Sequence, residues 1–410
     1  MKKGWLTKPL RSVCDLQNGY AFKSSDYIES SNTLNTRMSS IRPDGSFDPE
    51  HNQRFLPDYY AKEYSSFLLN EGDLIIAMTD MAGDPKILGV PTLVSNQNGR
   101  NFLMNQRVGK LFGFSDNVRV PFLRYFLTSP SIKEFYKSKG AGGLQINISK
   151  ADILSAQIPL PAIAEQDRIV GILDKAFDGI ATAKANAEKN LQNARALFES
   201  HLQSVFTQRG EGWVDTALGD VCGFVRGPFG GSLKKSIFVA DGYAVYEQQH
   251  AIYNQFDDVR YFIDEAKFKE MKRFELLPDD LIMSCSGTMG RVAIVPKGIK
   301  RGIINQALLK LTPTAKISCT FLKSWMESEA FQDALKEYSG GAAIQNVASV
   351  KILKEIRVPL PSIKEQERVV DKLDNFRAET QRLESIYKRK LAALEALKKS
   401  LLHQAFTGGL

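Results

Sequence analysis

The chain has 410 residues, of which 43 % are hydrophobic and 24 % are charged, a composition typical of a globular protein of two to three domains. It contains no run of 18 apolar residues, and its first ten residues lack the apolar segment of a signal peptide, so we expect a cytoplasmic protein with no membrane partner. The formal net charge of +8 is compatible with a polyanionic partner but does not require one. The cysteines show no metal-binding spacing and are expected to be reduced: Cys14, Cys222, Cys285 and Cys319.

The chain begins with a block of mixed α and β character. Residues 73–78 and 108–112 are strand-like runs, and residues 121–139 have a helical pattern. The block ends at IPLPAIAEQDRIV (158–170), and no proline follows this segment before Gly210. A single helix of about 44 residues, roughly 65 Å long, is predicted there.

The same organisation then occurs a second time. VPLPSIKEQERVV (358–370) matches residues 158–170, and the match continues without a gap, at a shift of 200 residues, to Phe406-Thr407. The second block has strand-like runs at 280–283, 292–295 and 308–311, followed by a helical stretch at 319–338. A duplication of this length predicts four segments: a mixed block at 1–160, a helix at 161–209, a second block at 210–360 and a second helix at 361–410.

Both long helices share one frame of alternating three- and four-residue steps, rich in alanine in the first helix and in leucine and aromatic residues in the second. Small residues opposite large ones allow close packing, so the two helices are expected to pair with each other. The alternative is that each helix lies separately on its own block. The predicted pairing residues are Leu173, Ile180, Ala183, Ala187, Ala194 and Leu197 in the first helix, and Leu373, Phe376, Leu383, Tyr387, Leu394, Leu397 and Leu401 in the second.

Motifs that carry catalysis or bind metals were not found. The histidines are scattered, and neither a GxSxG motif nor a Walker loop is present. Asp58, Asp84 and Lys86 have a spacing found in nucleases, but Pro85 argues against the strand that this chemistry requires. GPFGGS (227–232) could hold a phosphate, although a structural loop is favoured because no helix begins there. The sequence therefore predicts neither a catalytic nor a metal site.

Basic and amide side chains interleave with aromatic residues in the presumed loops of both blocks. Arginine and glutamine can pair with base edges, and lysine can reach phosphates. Asn105-Gln106 and Gln145 recur at 305-306 and 345, so they are expected to support the common fold. Residues that read different base sequences should instead lie where the halves differ, in 20–54, 80–100, 226–250 and 284–291. The candidate DNA-binding residues are Tyr20, Lys23, Arg37, Arg42, Arg54, Lys86, Arg226, Lys234, Lys235, Gln248, Gln249, His250 and Arg291.

The repeated (I/V)PLP-x-I-x-EQ-x-R-(I/V)V signature, together with DDLIMSCSGTMGRVAIVP (279–296), resembles the specificity subunits of Type I restriction-modification systems over essentially the whole chain. The first block departs from the SGTMGR form at 72–91, as expected if it reads another target. The resemblance implies an α+β fold with two pseudo-symmetric target-recognition domains joined by two long antiparallel coiled-coil helices. It also implies that each domain reads one half of a bipartite site on double-stranded DNA.

The same resemblance implies that the helices fix the spacer between the half-sites and dock two methyltransferase subunits, through which restriction subunits join the complex. S-adenosylmethionine would then bind the methyltransferase partner, and no cofactor is expected in this chain. Two other classes of function stay open on residues alone. One is a coiled-coil adaptor that binds proteins, whose interactions would lack the steep salt dependence of phosphate contacts. The other is a metal-dependent nuclease centred on Asp58, Asp84 and Lys86.

Overall fold

The structure is a computed structural model that describes residues 5–96, 98–229, 231–337 and 350–410. The chain divides into two compact units, Met1–Ala187 with Arg389–Leu410, and Glu188–Lys388. These divisions fall inside the two long helices, whereas the sequence placed the segment boundaries at the ends of the helices. Within the described ranges, no helix is long and apolar enough to cross a membrane.

The first unit is built on two sheets with a helical layer. One sheet has the strand order β2-β10-β6-β8 with antiparallel neighbours, and the other has the order β4-β3-β9-β5, in which β3 and β9 are parallel. The strands are β1 (Leu6–Pro9), β2 (Asp15–Asn18), β3 (Thr33–Thr36), β4 (Phe55–Leu56), β5 (Leu68–Leu69), β6 (Leu74–Ala77), β7 (Thr79–Met81), β8 (Pro91–Leu93), β9 (Asn101–Met104), β10 (Val108–Phe112), β11 (Gln145–Asn147) and β12 (Gln157–Leu160). The helices are α1 (Tyr60–Glu63), α2 (Val120–Thr128), α3 (Pro130–Lys139), α4 (Lys150–Ser155) and the long α5 (Ile163–Thr207).

Strand β6 separates two apolar cores of this unit. Its side chains alternate between the two faces of the sheet, so Leu74 and Ile76 pack with the helices while Ile75 and Ala77 pack with the second sheet. This burial on both faces explains why the run is apolar without interruption. The pairing of β1 with β12 brings the first strand of the unit beside the segment that leads into α5.

The second unit repeats this topology. The sheet β14-β20-β17-β18 corresponds to β2-β10-β6-β8, and β15 pairs in parallel with β19 as β3 does with β9. The strands are β13 (Val214–Ala217), β14 (Cys222–Arg226), β15 (Tyr243–Tyr246), β16 (Phe262–Ile263), β17 (Leu281–Ser284), β18 (Val292–Ile294), β19 (Gly302–Ile304), β20 (Leu308–Pro313) and β21 (Arg357–Leu360). The helices are α6 (Leu218–Val221), α7 (Gln248–Tyr253), α8 (Glu265–Glu270), α9 (Cys319–Glu327), α10 (Glu329–Glu337), α11 (Val350–Glu355) and the long α12 (Ile363–Thr407).

Segments of α5 and α12 run antiparallel within each unit. In the first unit, Arg168 donates a hydrogen bond to the carbonyl oxygen of Leu410 at 2.7 Å, and Lys184 lies 3.2 Å from Glu395, so residue numbers rise along one helix as they fall along the other. In the second unit, Arg195 lies 3.1 Å from Glu384, and the ring of His201 lies 4.4 Å from that of Phe376. The predicted α+β fold with two long antiparallel helices is therefore confirmed.

The helical frame changes phase near the middle of each helix. Leu173, Ile180, Ala187, Ala194 and Leu373 are buried, and Ala183, Phe376, Leu383, Tyr387, Leu394 and Leu401 are half-buried. The prediction is wrong for Leu197 and Leu397, which are 50 % and 47 % exposed. Two successive four-residue steps, from 183 to 187 and on to 191, move the covered positions to Leu191 and Phe198, and the same shift occurs in α12. An α-helix drifts relative to a strict 3.5-residue frame, and the extra step corrects that drift.

Candidate nucleic-acid interface

A glycine that closely approaches another backbone segment anchors the first variable loop of each unit in the same way. The amide of Gly19 donates to the carbonyl oxygen of Val108 at 3.1 Å, and that of Gly227 donates to Leu308 at 2.9 Å. A Cβ at Gly19 would lie 2.2 Å from the carbonyl oxygen of Asn105, and one at Gly227 would lie 1.9 Å from that of Asn305. Only glycine allows this approach, so Gly227 of GPFGGS is a structural residue. The shared Asn-Gln segments support the fold, while Gln345 lies outside the described residues.

The loop that follows Gly19 builds an aromatic cluster in the first unit. The ring of Tyr20 lies 5.0 Å from that of Phe22 and 4.6 Å from that of Tyr64. A hydrogen bond with Tyr20, together with desolvation, raises the pKa of Tyr64. Tyr20 is partly exposed, Lys23 is exposed, and Tyr59 at the edge of the cluster is 64 % exposed. The cluster therefore presents aromatic and cationic groups on one rigid support, and Tyr59 belongs to it although the sequence did not single it out.

Three candidate arginines of the first unit lie in the loops around β3 and β4. Arg37 follows β3 and is half-buried, and its amide donates to Ser40 Oγ at 3.2 Å. Arg42 is half-buried and lies 3.9 Å from the carboxylate of Asp48, whereas Arg54 is exposed. Their guanidinium groups differ in accessibility, and Arg54 is the most open of the three.

The equivalent loop of the second unit contains one candidate that the structure contradicts. His250 is 1 % exposed, and its Nδ1 accepts the amide N–H of Glu247 at 2.9 Å while Nε2 donates to the carbonyl oxygen of Asp258 at 3.0 Å. Both ring nitrogens thus hold the loop together, and the prediction that His250 contacts DNA is wrong. Gln248 and Gln249 are half-buried, and Tyr253, 70 % exposed, lies beside them. The sequence missed Tyr253 because nothing in its local pattern separates it from a core tyrosine.

The segments 78–90 and 285–291 connect equivalent strands but are tied down by different chemistry. In the first unit, the buried carboxylate of Asp80 accepts the amides of Ile87 and Leu88 at 2.5 and 3.0 Å. The side chain of Lys86 takes no part in these bonds, is exposed, and its Nζ lies 3.2 Å from the carboxylate of Asp84. The loop is therefore fixed at its base while its cation is accessible.

The second unit uses a serine for the same purpose. Ser284 Oγ donates to the carbonyl oxygen of Thr288 at 2.6 Å and accepts the amide of Arg291 at 3.0 Å. Gly290 has φ of +74°, and the side chain of Gln332 donates to its carbonyl oxygen at 3.1 Å. These contacts hold the loop rigidly and leave the Arg291 side chain exposed. Lys234 and Lys235 are also exposed, Arg226 is half-buried, and Phe229 beside them is 85 % exposed.

The glutamine of each EQ signature ties its long helix to the preceding block. Gln166 is fully buried, accepts the amide of Arg119 and donates to the carbonyl oxygens of Asn117 and Pro161, all at 2.9 Å. Gln366 makes the equivalent three bonds to Ser318, Lys316 and Pro361 at 2.8–3.0 Å. The EQ motif is visible in the sequence but this role is not, because two of the three partners of each glutamine lie 47–50 residues away.

The residues of the nuclease alternative have structural partners. Asp58 accepts the amide of Asn32 at 3.0 Å and the hydroxyl of Thr33 at 2.8 Å. Asp84 lies at a bend outside the strands, as Pro85 indicated, and pairs with Lys86. Within 5–96, 98–229, 231–337 and 350–410, no group of three or more His, Cys, Asp or Glu side chains is placed to hold a metal ion.

Together, these observations describe a duplicated protein in which one scaffold carries two different sets of basic, amide and aromatic loops. The model of the Type I restriction modification DNA specificity domain matches residues 2–192 and 210–393, so the chain belongs to this family of specificity subunits rather than to a family of catalytic subunits. The chain is 24 % identical over 437 aligned positions to the Type I restriction enzyme EcoBI specificity subunit of Escherichia coli, covering 99 % of this chain and 86 % of that protein. It is 23 % identical to the StySPI specificity subunit of Salmonella potsdam, covering 100 % of this chain and 90 % of that protein.

Solved structures agree on the fold. One comes from work on complex assembly and conformational transition of the type I R-M system. It has a TM-score of 0.77 at 19 % identity, and the match covers 100 % of this chain and 99 % of that chain. The HsdS subunit of Thermoanaerobacter tengcongensis has a TM-score of 0.63 at 19 % identity and covers 100 % and 98 %.

Proposed function

We propose that each unit reads one half of a bipartite, asymmetric DNA site in the major groove. The observation that carries this proposal is the contrast between a shared scaffold and divergent loops. The close backbone contacts at Gly19 and Gly227 hold equivalent loops in place, yet the side chains that these loops present differ between the units. Two different readers on one scaffold fit a site whose halves have different sequences.

The accessible side chains suit contact with DNA. Arginine and glutamine pair with guanine and adenine edges in two hydrogen bonds, while lysine and arginine neutralise phosphates. The exposed aromatic residues provide apolar contact with bases. The residues that we propose for contact are Tyr20, Lys23, Arg37, Arg42, Arg54 and Lys86 in the first unit, and Arg226, Lys234, Lys235, Gln248, Gln249 and Arg291 in the second.

We further propose that α5 and α12 set the spacer between the half-sites and dock two methyltransferase subunits, through which the restriction subunits join. A duplicated chain offers two equivalent surfaces, which suits two copies of one partner. S-adenosylmethionine would be bound by the methyltransferase subunits and no cofactor by this chain. The protein would act in the cytoplasm, where its DNA is.

The test is a methylation map. This chain is co-expressed with the methyltransferase subunit encoded beside it in a host that lacks adenine methylation, and modified adenines are located across the genome. We expect one split motif with a fixed gap. An intact, soluble complex that methylates nothing, and whose DNA affinity does not change with salt, would instead favour a protein-binding adaptor.

Substitution of single loop residues assigns the half-sites. Arg291→Ala is expected to relax or weaken recognition of one half-site by roughly 10- to 100-fold, because a bidentate base contact contributes about 1–3 kcal/mol of discrimination. Lys297→Ala, an exposed cation outside the candidate loops, is the matched control. If Arg291→Ala altered both half-sites equally, the two-reader model would be wrong.

The role of the helices in spacing has its own test. Insertion of seven residues in each long helix, after Ala187 and after Tyr387, lengthens both by about 10 Å. The gap of the methylated motif is expected to grow by about 3 base pairs, at roughly 3.4 Å each, with both half-sites retained. An unchanged gap would refute the proposed spacing role.

A further inference from the structure

Two ion pairs join the long helices at positions that the internal repeat relates to each other. Lys184 Nζ lies 3.2 Å from Glu395 Oε1 in the first unit, and Arg195 Nε lies 3.1 Å from Glu384 Oε2 in the second. The repeat shift of 200 residues makes Lys184 equivalent to Glu384 and Arg195 equivalent to Glu395. One pair of positions therefore occurs twice, with both bases on α5 and both acids on α12.

The residues that precede these charged residues also differ between the two helices: they are small on α5 and large on α12. Ala183 and Ala194 precede the two basic residues of α5, whereas Leu383 and Leu394 precede the two acidic residues of α12. Ala194 is buried, and the other three are half-buried. At these repeat-related positions, the covered face of α5 therefore carries small residues and the covered face of α12 carries large ones.

Pairing of either helix with a second copy of itself would remove this complementarity. Two antiparallel copies of α5 in this register would place Lys184 opposite Arg195 and would offer only alanine at positions 183 and 194 of both helices, so like charges would meet beside a poorly filled interface. Two copies of α12 would place Glu384 opposite Glu395 and would bring leucine at positions 383 and 394 of both helices into one interface. Like charges destabilise a helix pair, and gaps and overpacked contacts are both unfavourable.

We propose that residues 183–184, 194–195, 383–384 and 394–395 form a set of partner-selection positions through which each long helix accepts the other helix and rejects a second copy of itself. The partner that fits α5 is an antiparallel helix with a large apolar residue followed by an acid at both positions. The partner that fits α12 has a small residue followed by a base. This selection concerns the helices alone and does not depend on which DNA is bound.

The local electrostatics agree with the geometry. The hydrogen bond from Arg195 lowers the pKa of Glu384, so the ionised carboxylate is the favoured form in the folded state. The carboxylate of Glu384 also lies 3.4 Å from Lys388 of the same helix. This second contact ends at the same acid, so reversal of the charge at 384 removes two attractions rather than one.

The test begins with the full chain and reciprocal charge reversals. Lys184→Glu with Arg195→Glu makes all four positions acidic, and Glu384→Lys with Glu395→Arg makes them basic. Each double variant is expected to melt about 3–8 °C lower, whereas the variant with all four changes should return to within about 2 °C of the wild type. Lys189→Glu with Arg389→Glu is the control, because it changes net charge equally at exposed positions outside the pairing face.

Choice of partner is measured by mixing. The two double variants are unfolded together at equal concentrations, refolded, and weighed by native mass spectrometry. Exchange of helices between an acidic and a basic chain restores both interhelical ion pairs, so dimers with one chain of each kind should exceed homodimers by at least tenfold. A mixture of monomers alone, a statistical mixture of dimers, or a fourfold variant as unstable as the doubles would overturn the proposal. These readouts involve no DNA, so failure here is separable from failure of the proposed function.

Discussion

Replacement of Gln166 tests whether its buried amide ties α5 to the first recognition block. The side chain makes three hydrogen bonds of 2.9 Å to main-chain groups. Alanine would leave one main-chain amide and two carbonyl oxygens without these hydrogen-bond partners. At about 1 kcal/mol net for each bond, Gln166→Ala should cost roughly 3 kcal/mol. In a unit of about 200 residues this lowers the melting temperature by roughly 6–12 °C.

Calorimetry of the full chain provides the measurement, with Gln192→Ala on the exposed face of the same helix as control. Gln166→Glu sharpens the test, because it keeps the acceptor for the Arg119 amide but directs a carboxylate at two carbonyl oxygens. Burial would raise the folded-state pKa of the new acid above its unfolded value. The variant should therefore be most stable at low pH and lose stability as pH rises through that pKa. If Gln166→Ala melted within about 1 °C of the control, the tie would contribute nothing.

Three further outcomes are expected. Gly227→Ala should prevent correct folding of the second unit, because the new Cβ would lie 1.9 Å from the carbonyl oxygen of Asn305. Gly223→Ala is the control and should fold, because the atom nearest to its new Cβ would be 3.7 Å away. Circular dichroism distinguishes the two outcomes. Leu397→Gln should leave the melting temperature nearly unchanged, whereas Leu373→Ala should lower the free energy of unfolding by about 2–5 kcal/mol. Equal effects would contradict the phase change that leaves Leu397 exposed. The stability that Glu384 contributes should be present at neutral pH and decline as the pH falls below about 4.5, because the pKa of Glu384 is lowered in the folded state. If the melting temperatures of Glu384→Gln and the wild type fell in parallel with decreasing pH, this prediction would be refuted.

Local and repeated patterns made much of the fold predictable. The duplicated signature located both long helices, and the alanine-rich and leucine-rich frames predicted their pairing. The frame failed at Leu197 and Leu397 because a strict 3.5-residue repeat ignores the accumulated drift of an α-helix. The parallel pairing of β3 with β9 could not be predicted, because it joins segments about 65 residues apart and no turn sets its register.

The candidate site was less predictable than the fold. Residue type alone placed His250 among the DNA contacts, although its two ring nitrogens are used by the main chain of its own loop. The roles of Asp80 and Ser284 also depend on loop conformation, since each caps amides several residues away. Which side chain supports a loop and which remains available to a partner is decided by three-dimensional neighbours that a single sequence does not reveal.

The apolar core of the first unit contains Leu402, Ala405 and Phe406, whereas the second unit is drawn from the continuous stretch Glu188–Lys388. During synthesis, residues 1–187 must therefore wait for residues 389–410, while the second unit already has all of its residues. A ribosome that stalls near residue 390 would release a chain whose later half is complete and whose earlier half exposes an unfilled core. Quality control by chaperones and proteases would then act mainly on the amino-terminal half of unfinished chains.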